Sequence, residues 1–126
     1  MKLKFTTVAL IGLGILLVGI AVAQLYAYTG AQLISATQAR RMQFDKIVDV
    51  RSDFEWSIGH HPEAFHLPIT TLTPEAAKAI GLTKGDRILV YCNTGQRSRR
   101  GAELLKSFGY EKVYYIPGSY VDLIDD

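Results

Sequence analysis

Cysteine occurs once in these 126 residues, at Cys92, and histidine three times, at His60, His61 and His66. A single thiol excludes an internal disulfide, so in an oxidising compartment it is either buried and inert or kept for chemistry. The histidines make a poor metal set. Adjacent residues on an extended turn point apart, and no second cysteine or carboxylate completes a site, so no metal is expected. Charge is missing altogether from Phe5 to Ala39, and Val8 to Ile20 is almost wholly aliphatic or glycine. A buried core helix does not fit this length and position.

Lys2 and Lys4 precede the apolar run and no acid does. Two readings stay open. A basic start, an apolar stretch and Ala21-Val22-Ala23 before Gln24 match a cleavable export signal, while Phe5 to Tyr28 is also long enough for an uncleaved anchor, which needs roughly 20 residues. Either places the rest of the chain outside the cytoplasm, because the lysines stay inside. Gly12, Gly14 and Gly19 follow no strand and are ordinary glycines of an apolar segment, not a nucleotide loop. The division expected is 1–28 for the signal peptide or single transmembrane anchor and 29–126 for one compact domain. Of the 14 basic and 12 acidic residues, Lys2 and Lys4 belong to the first segment; the remainder balances, which gives no ground for a nucleic-acid partner.

After a neutral linker, Tyr26 to Gln32, Ser35 is expected to cap a helix through Met42 with Ala36, Ala39 and Met42 inward. Ile47 to Val50 reads as a strand with Arg51 at its carboxyl end. Asp53 is expected to cap Phe54 to Ile58, with Trp56 as core. A turn at Gly59 to Ala64 leads to a short strand, Phe65 to Leu67. Thr73 and Pro74 open a helix to Ile80 that Gly81 closes. Ile88 to Tyr91 is a buried strand, Ser98 to Phe108 an amphipathic helix ended by Gly109, and Val113 to Ile116 a last strand before a turn and a short acidic tail. Tyr114, Tyr115 and Tyr120 read as strand and core aromatics. Such alternation predicts a mostly parallel sheet covered on both faces.

Cys92 therefore stands where a strand stops and a helix starts. Unpartnered N–H groups and the positive end of the helix dipole favour an anionic sulfur there. A thiol of ordinary pKa is only a few per cent thiolate at neutral pH, so this placement with Arg97 nearby makes it a nucleophile. Asp49 and Arg51 also lie at a carboxyl end and can converge on the same pocket. Arg99 and Arg100 read as solvated charges of an exposed helix.

Asp49-Val50-Arg51, Gly59-His60 with Pro62 and Ala64, Tyr91-Cys92-Asn93-Thr94-Gly95-Gln96-Arg97-Ser98, and Phe108-Gly109-Tyr110 with Val113 together resemble a single-domain rhodanese across roughly residues 33–123, in particular the periplasmic phage-shock-protein E type. The resemblance implies a three-layer α/β fold with a mostly parallel central sheet, here preceded by an N-terminal apolar helix. It implies a sulfurtransferase that moves a sulfane sulfur from thiosulfate or a similar small anionic donor through a Cys92 persulfide to cyanide or a thiol acceptor, without a cofactor. Cys92 matches the catalytic cysteine. Asn93, Thr94, Gly95, Gln96 and Arg97, closed by Ser98, match the loop whose amides surround the sulfur, and Arg97 matches a position where a cation meets the donor. Asp49, Arg51 and His60 match supporting positions. A Cys-based phosphatase of related fold needs arginine six positions after the cysteine; Ser98 stands there, and the shorter cup suits sulfur better than a phosphoryl group. His61 and Glu63 depart from the usual Gly-His-Ile-Pro-Gly-Ala, and Pro117-Gly118 lacks the usual following tryptophan. The alternative function is a non-catalytic persulfide relay or a thiol redox sensor in the envelope.

Overall fold

The computed structural model describes residues 4–28 and 30–124, with side chains outside 23–29. Lys2, the side chains of Ala23 and Gln24 and the acidic residues 125–126 lie outside the described residues. The chain divides into two units, 1–30 and 31–126.

In the first unit α1 (Phe5–Tyr28) is one uninterrupted helix. Its stretch Phe5–Val22 is long and apolar enough to cross a membrane, and none of it is buried within the protein. The helix continues through Tyr26, where a linker was expected, because no proline and no glycine after Gly19 interrupts it before Gly30.

The second unit runs β1 (Gln32–Leu33), α2 (Ala36–Arg41), β2 (Lys46–Asp49), α3 (Asp53–Ile58), β3 (Ala64–His66), a 3-10 turn (Ile69–Thr71), α4 (Pro74–Ala79), β4 (Arg87–Tyr91), α5 (Gln96–Ser107), β5 (Lys112–Tyr115) and α6 (Val121–Ile124). The five strands form a parallel sheet in the order β1-β5-β4-β2-β3. Both faces are covered, which is why β4 reads as an unbroken apolar run instead of an alternating one. Ile88, Val90 and Cys92 point to one face, where Ala77, Ala102 and Leu105 of α4 and α5 complete the core. Leu89 and Tyr91 point to the other, against Ile34, Ala39 and Ile116, with Leu123 of α6 at its margin.

Capping explains most element ends. Ser35 and Thr73 each accept from a backbone N–H three residues on, and Gly81 and Gly109 follow their helices with φ +89° and +101°. One cap and one helix start differ from expectation. Ser52, not Asp53, caps α3, because Glu55 three residues later reaches back to complete a capping box. Helix α5 starts at Gln96, two residues before the expected Ser98, because Gly95 with φ of +91° turns the chain tightly and Gln96 and Arg97 already belong to the helix. The short strand β1 and the helical turn α6 replace the expected linker end and tail.

Candidate active site

β4 ends with its alternation intact, so Cys92 continues the face of Ile88 and Val90 and is fully buried. The Gly95 N–H donates to Sγ at 3.1 Å. Burial pushes the thiol upward, but the Ser98 hydroxyl and the amides of Ser98, Gly95 and Thr94 outweigh it and hold Cys92 below its ordinary value of 9.0. Ser98 is also buried. Its single hydroxyl proton has Gly95 O at 3.0 Å and Ile116 O at 3.2 Å as further acceptors. One residue thus serves both the sulfur and the backbone behind it.

Asn93 and Arg97, the two polar ends of the loop, meet on one carboxylate. Glu55 of α3 accepts Arg97 Nη1 at 2.6 Å and Nη2 at 2.9 Å, a bidentate pair, and Asn93 Nδ2 at 2.5 Å. The Ser52 N–H and hydroxyl, at 3.2 and 2.9 Å, fix the same carboxylate from its own helix. The hydrogen bond from Arg97 is the largest influence; it outweighs the upward push of burial and, with the bonds from Ser52, brings Glu55 down to about 2, so it is ionised at every physiological pH. Arg97, which the resemblance places where a cation meets the donor, is paired here with the Glu55 carboxylate. Glu55 is the site residue that sequence reading missed, although Ser52-x-x-Glu55 carries the capping-box signature.

Asp49 and Arg51 form a second, deeper pair. Arg51 Nε lies 3.1 and 3.0 Å from the two Asp49 oxygens and Nη2 2.7 Å from Oδ2, while Nη2 also donates to Gly59 O at 2.6 Å. Tyr91 and Tyr120 present their rings to this guanidinium at 5.6 and 5.1 Å. The Tyr91 hydroxyl accepts the His61 N–H at 3.0 Å. Because Asp49 is on the Tyr91 face of the sheet and Cys92 on the other, this pair braces the strand ends without touching the sulfur.

Trp56 is not in the core. Its indole lies flat against His60 (3.5 Å between centroids, 1°) and His66 (4.6 Å, 11°). Parallel rings that close cannot share one face, so the indole is sandwiched. His60 Nδ1 bonds Trp56 O and His66 Nε2 bonds Arg51 O, both at 2.8 Å, which makes His60 a packing residue of the α3 corner. Among the described residues no group of His, Cys, Asp and Glu is arranged to hold a metal. An open cleft of about 440 Å³, lined by Ala39, Met42, Phe44, Ile47, His61 and Leu89, lies on the face away from Cys92.

The parallel sheet with a single cysteine at the carboxyl end of its central strand coincides with a match of residues 31–126 to the rhodanese-like domain. The chain belongs to that family. The rhodanese-like domain is similar to a tRNA uridine(34) hydroxylase of Rickettsia akari (34% identical over 83 residues, 64% of this chain and 34% of that protein) and to one of Escherichia fergusonii (28% over 95 residues, 71% and 27%). It spans about a third or less of those relatives' length. Among solved structures it is similar to the rhodanese-like domain of an Anabaena protein (25% identical, TM-score 0.64, covering 73% of this chain and 72% of that one). It shares the fold of a human single-domain sulfurtransferase (24%, TM-score 0.62, 75% and 96%).

Proposed function

We propose that the chain is a sulfurtransferase of the envelope, of the phage-shock-protein E type, in which Cys92 takes a sulfane sulfur as a persulfide and yields it to a thiol or to cyanide. The observation that carries this is the sulfur itself, buried at a strand end with the Gly95 amide 3.1 Å away and Thr94 and Ser98 amides beside it. Neutral donors converging on one atom stabilise a thiolate, and the terminal sulfur of a persulfide extends the same charge by one atom. The loop is tight: three residues separate Cys92 from α5. Such a cup suits one sulfur better than a phosphoryl group.

Export through the N-terminal segment is part of the proposal, with α1 as signal or anchor. The relatives named as tRNA hydroxylases share only the domain's length, so their substrate has no counterpart in this reading. Cys92→Ser is expected to lose sulfur transfer to cyanide, measured as thiocyanate, by at least about a thousandfold while keeping its circular dichroism. Retained transfer in that variant would sink the mechanism.

A further inference from the structure

We infer that the amino end of the sheet is a docking surface for an anionic phospholipid bilayer, held by a cluster of lysines, so that the strand carboxyl ends with Cys92 are turned to the aqueous side. The inference concerns a surface remote from the sulfur and stands apart from the sulfur-transfer reading.

Its basis is how a parallel sheet sorts charge. Where every strand runs one way, the residues that open strands and those that close the helices leading into them gather at one end. All five lysines of the second unit are of these kinds. Lys46 and Lys112 open β2 and β5, Lys84 stands in the turn before β4, and Lys78 and Lys106 lie in the last turns of α4 and α5. Three of them converge on the turn 108–112. Lys84 Nζ donates to Phe108 O and lies 4.1 Å from the centre of the Tyr110 ring, Lys106 Nζ donates to Glu111 O, and Lys112 follows directly. One carbonyl occupies one of an ammonium's three donors, so the charge stays available. Lys78 and Lys112 are exposed at the same end, and Arg87 opens β4 as the register partner of Lys112.

Acids at this end are fewer or engaged. Asp45 accepts the Arg87 N–H at 2.8 Å, and Asp86 accepts the Thr83 N–H at 2.9 Å and pairs with Lys46 at 3.6 Å. Glu111 is exposed beside the cluster, while Glu63, before β3, stands at the far edge of the sheet from β5. Among the described residues Lys78, Lys84, Lys106 and Lys112 have no carboxylate partner. Helix starts carry the other sign: Asp53, Glu75 and Asp122 lie in the first turns of α3, α4 and α6. A bilayer is the polyanion that the chain's own course favours. Ala31 precedes Gln32, the register partner of Tyr114, so it stands beside Val113, one residue from Lys112. Helix α1 ends at Tyr28, and the three steps of chain to Ala31 span at most about 11 Å. An α1 that stays in a membrane thus keeps this cluster close to the headgroups, within the reach of charge attraction at about 0.1 M salt.

The experiment places the full chain in nanodiscs of phosphatidylcholine alone or with about 30% phosphatidylglycerol, and measures the acetylation rate of each lysine by a water-soluble ester from peptide masses. The helix α1 is present in both discs, so the comparison isolates lipid charge. Lys84, Lys106 and Lys112 should react at least about threefold more slowly in the anionic discs, and the difference should vanish in about 0.5 M salt. Carbodiimide labelling of Asp53 and Glu75 should be the same in both. Lys84→Gln with Lys112→Gln should abolish the protection of Lys106, whereas Lys84→Arg with Lys112→Arg should keep it, a split that follows charge and not packing. Equal lysine rates in the two discs overturn the inference, as does protection that persists in salt or that falls on Asp53 and Glu75 instead. Protection by heparin in phosphatidylcholine discs with none from phosphatidylglycerol assigns the surface to a soluble polyanion and overturns it too. The wild-type comparison needs no variant and decides the matter should the substituted chains fail to fold.

Discussion

Two side chains carry most of the site's electrostatics, and they act in opposite senses. Ser98 lowers the thiol; Glu55 cancels the loop's cation. Ser98→Ala should therefore move the midpoint of the pH profile of Cys92 alkylation upward and slow alkylation at pH 7 by about threefold. Glu55 affects stability as well. Its folded value of about 2 lies below the ordinary 4.5, so its contribution is fully present above pH 4.5 and is lost as pH falls toward 2. Arg97 is about a third exposed, which screens the pair. Glu55→Gln is expected to cost about 1–2 kcal/mol at pH 7 by denaturant titration, a gap that closes near pH 2. At this scale Cys92, Arg97, Asp49 and Arg51 could be singled out from their neighbours in the chain. Which charge pairs with which could not, because Glu55 and Arg97 are joined across two elements and no local pattern reports that.

The strand–turn–helix unit from β4 to α5 depends on one backbone conformation. Gly95 has φ +91°, and a Cβ there would stand 3.0 Å from both the α-carbon and the carbonyl oxygen of Pro117. Gly95→Ala thus meets strain and a backbone clash together, and is expected to destabilise the domain by about 1–3 kcal/mol and to depress sulfur loading, read by thermal melting and intact mass. Helix α5 is also closely seated, since a Cβ at Gly101 would lie 3.0 Å from Val50 Cγ1. The existence of these elements was legible from apolar runs, caps and glycines. Their starts were less so. Ser98 was expected to open α5 and is instead its third residue, drawn inward by Gly95 O and Ile116 O, while Trp56 looked like core and is held outside it by two imidazoles, a contact between residues whose spacing alone suggested only a turn. Gln32 and Leu33 are too short a run to announce a strand; they pair because β5 offers them an edge.

For the whole molecule, the proposed orientation makes a direct forecast. Alkaline phosphatase fused after Asp126 should be active in cells and β-galactosidase inactive, and the reverse pattern would place the domain in the cytoplasm. The sheet's strand order adds something of a different kind. β1 pairs with β5, Gln32 with Tyr114 and Leu33 with Tyr115, so nearly the whole length of the domain separates two neighbouring strands. Closing that pair carries the loop-closure entropy of a long chain, which slows folding relative to local helical contacts. A polypeptide made or threaded from its N-terminus cannot complete this edge until its final fifth has emerged. Until then the lone thiol, which in the finished domain is wholly covered, lacks the part of its cover that Val113 of β5 completes.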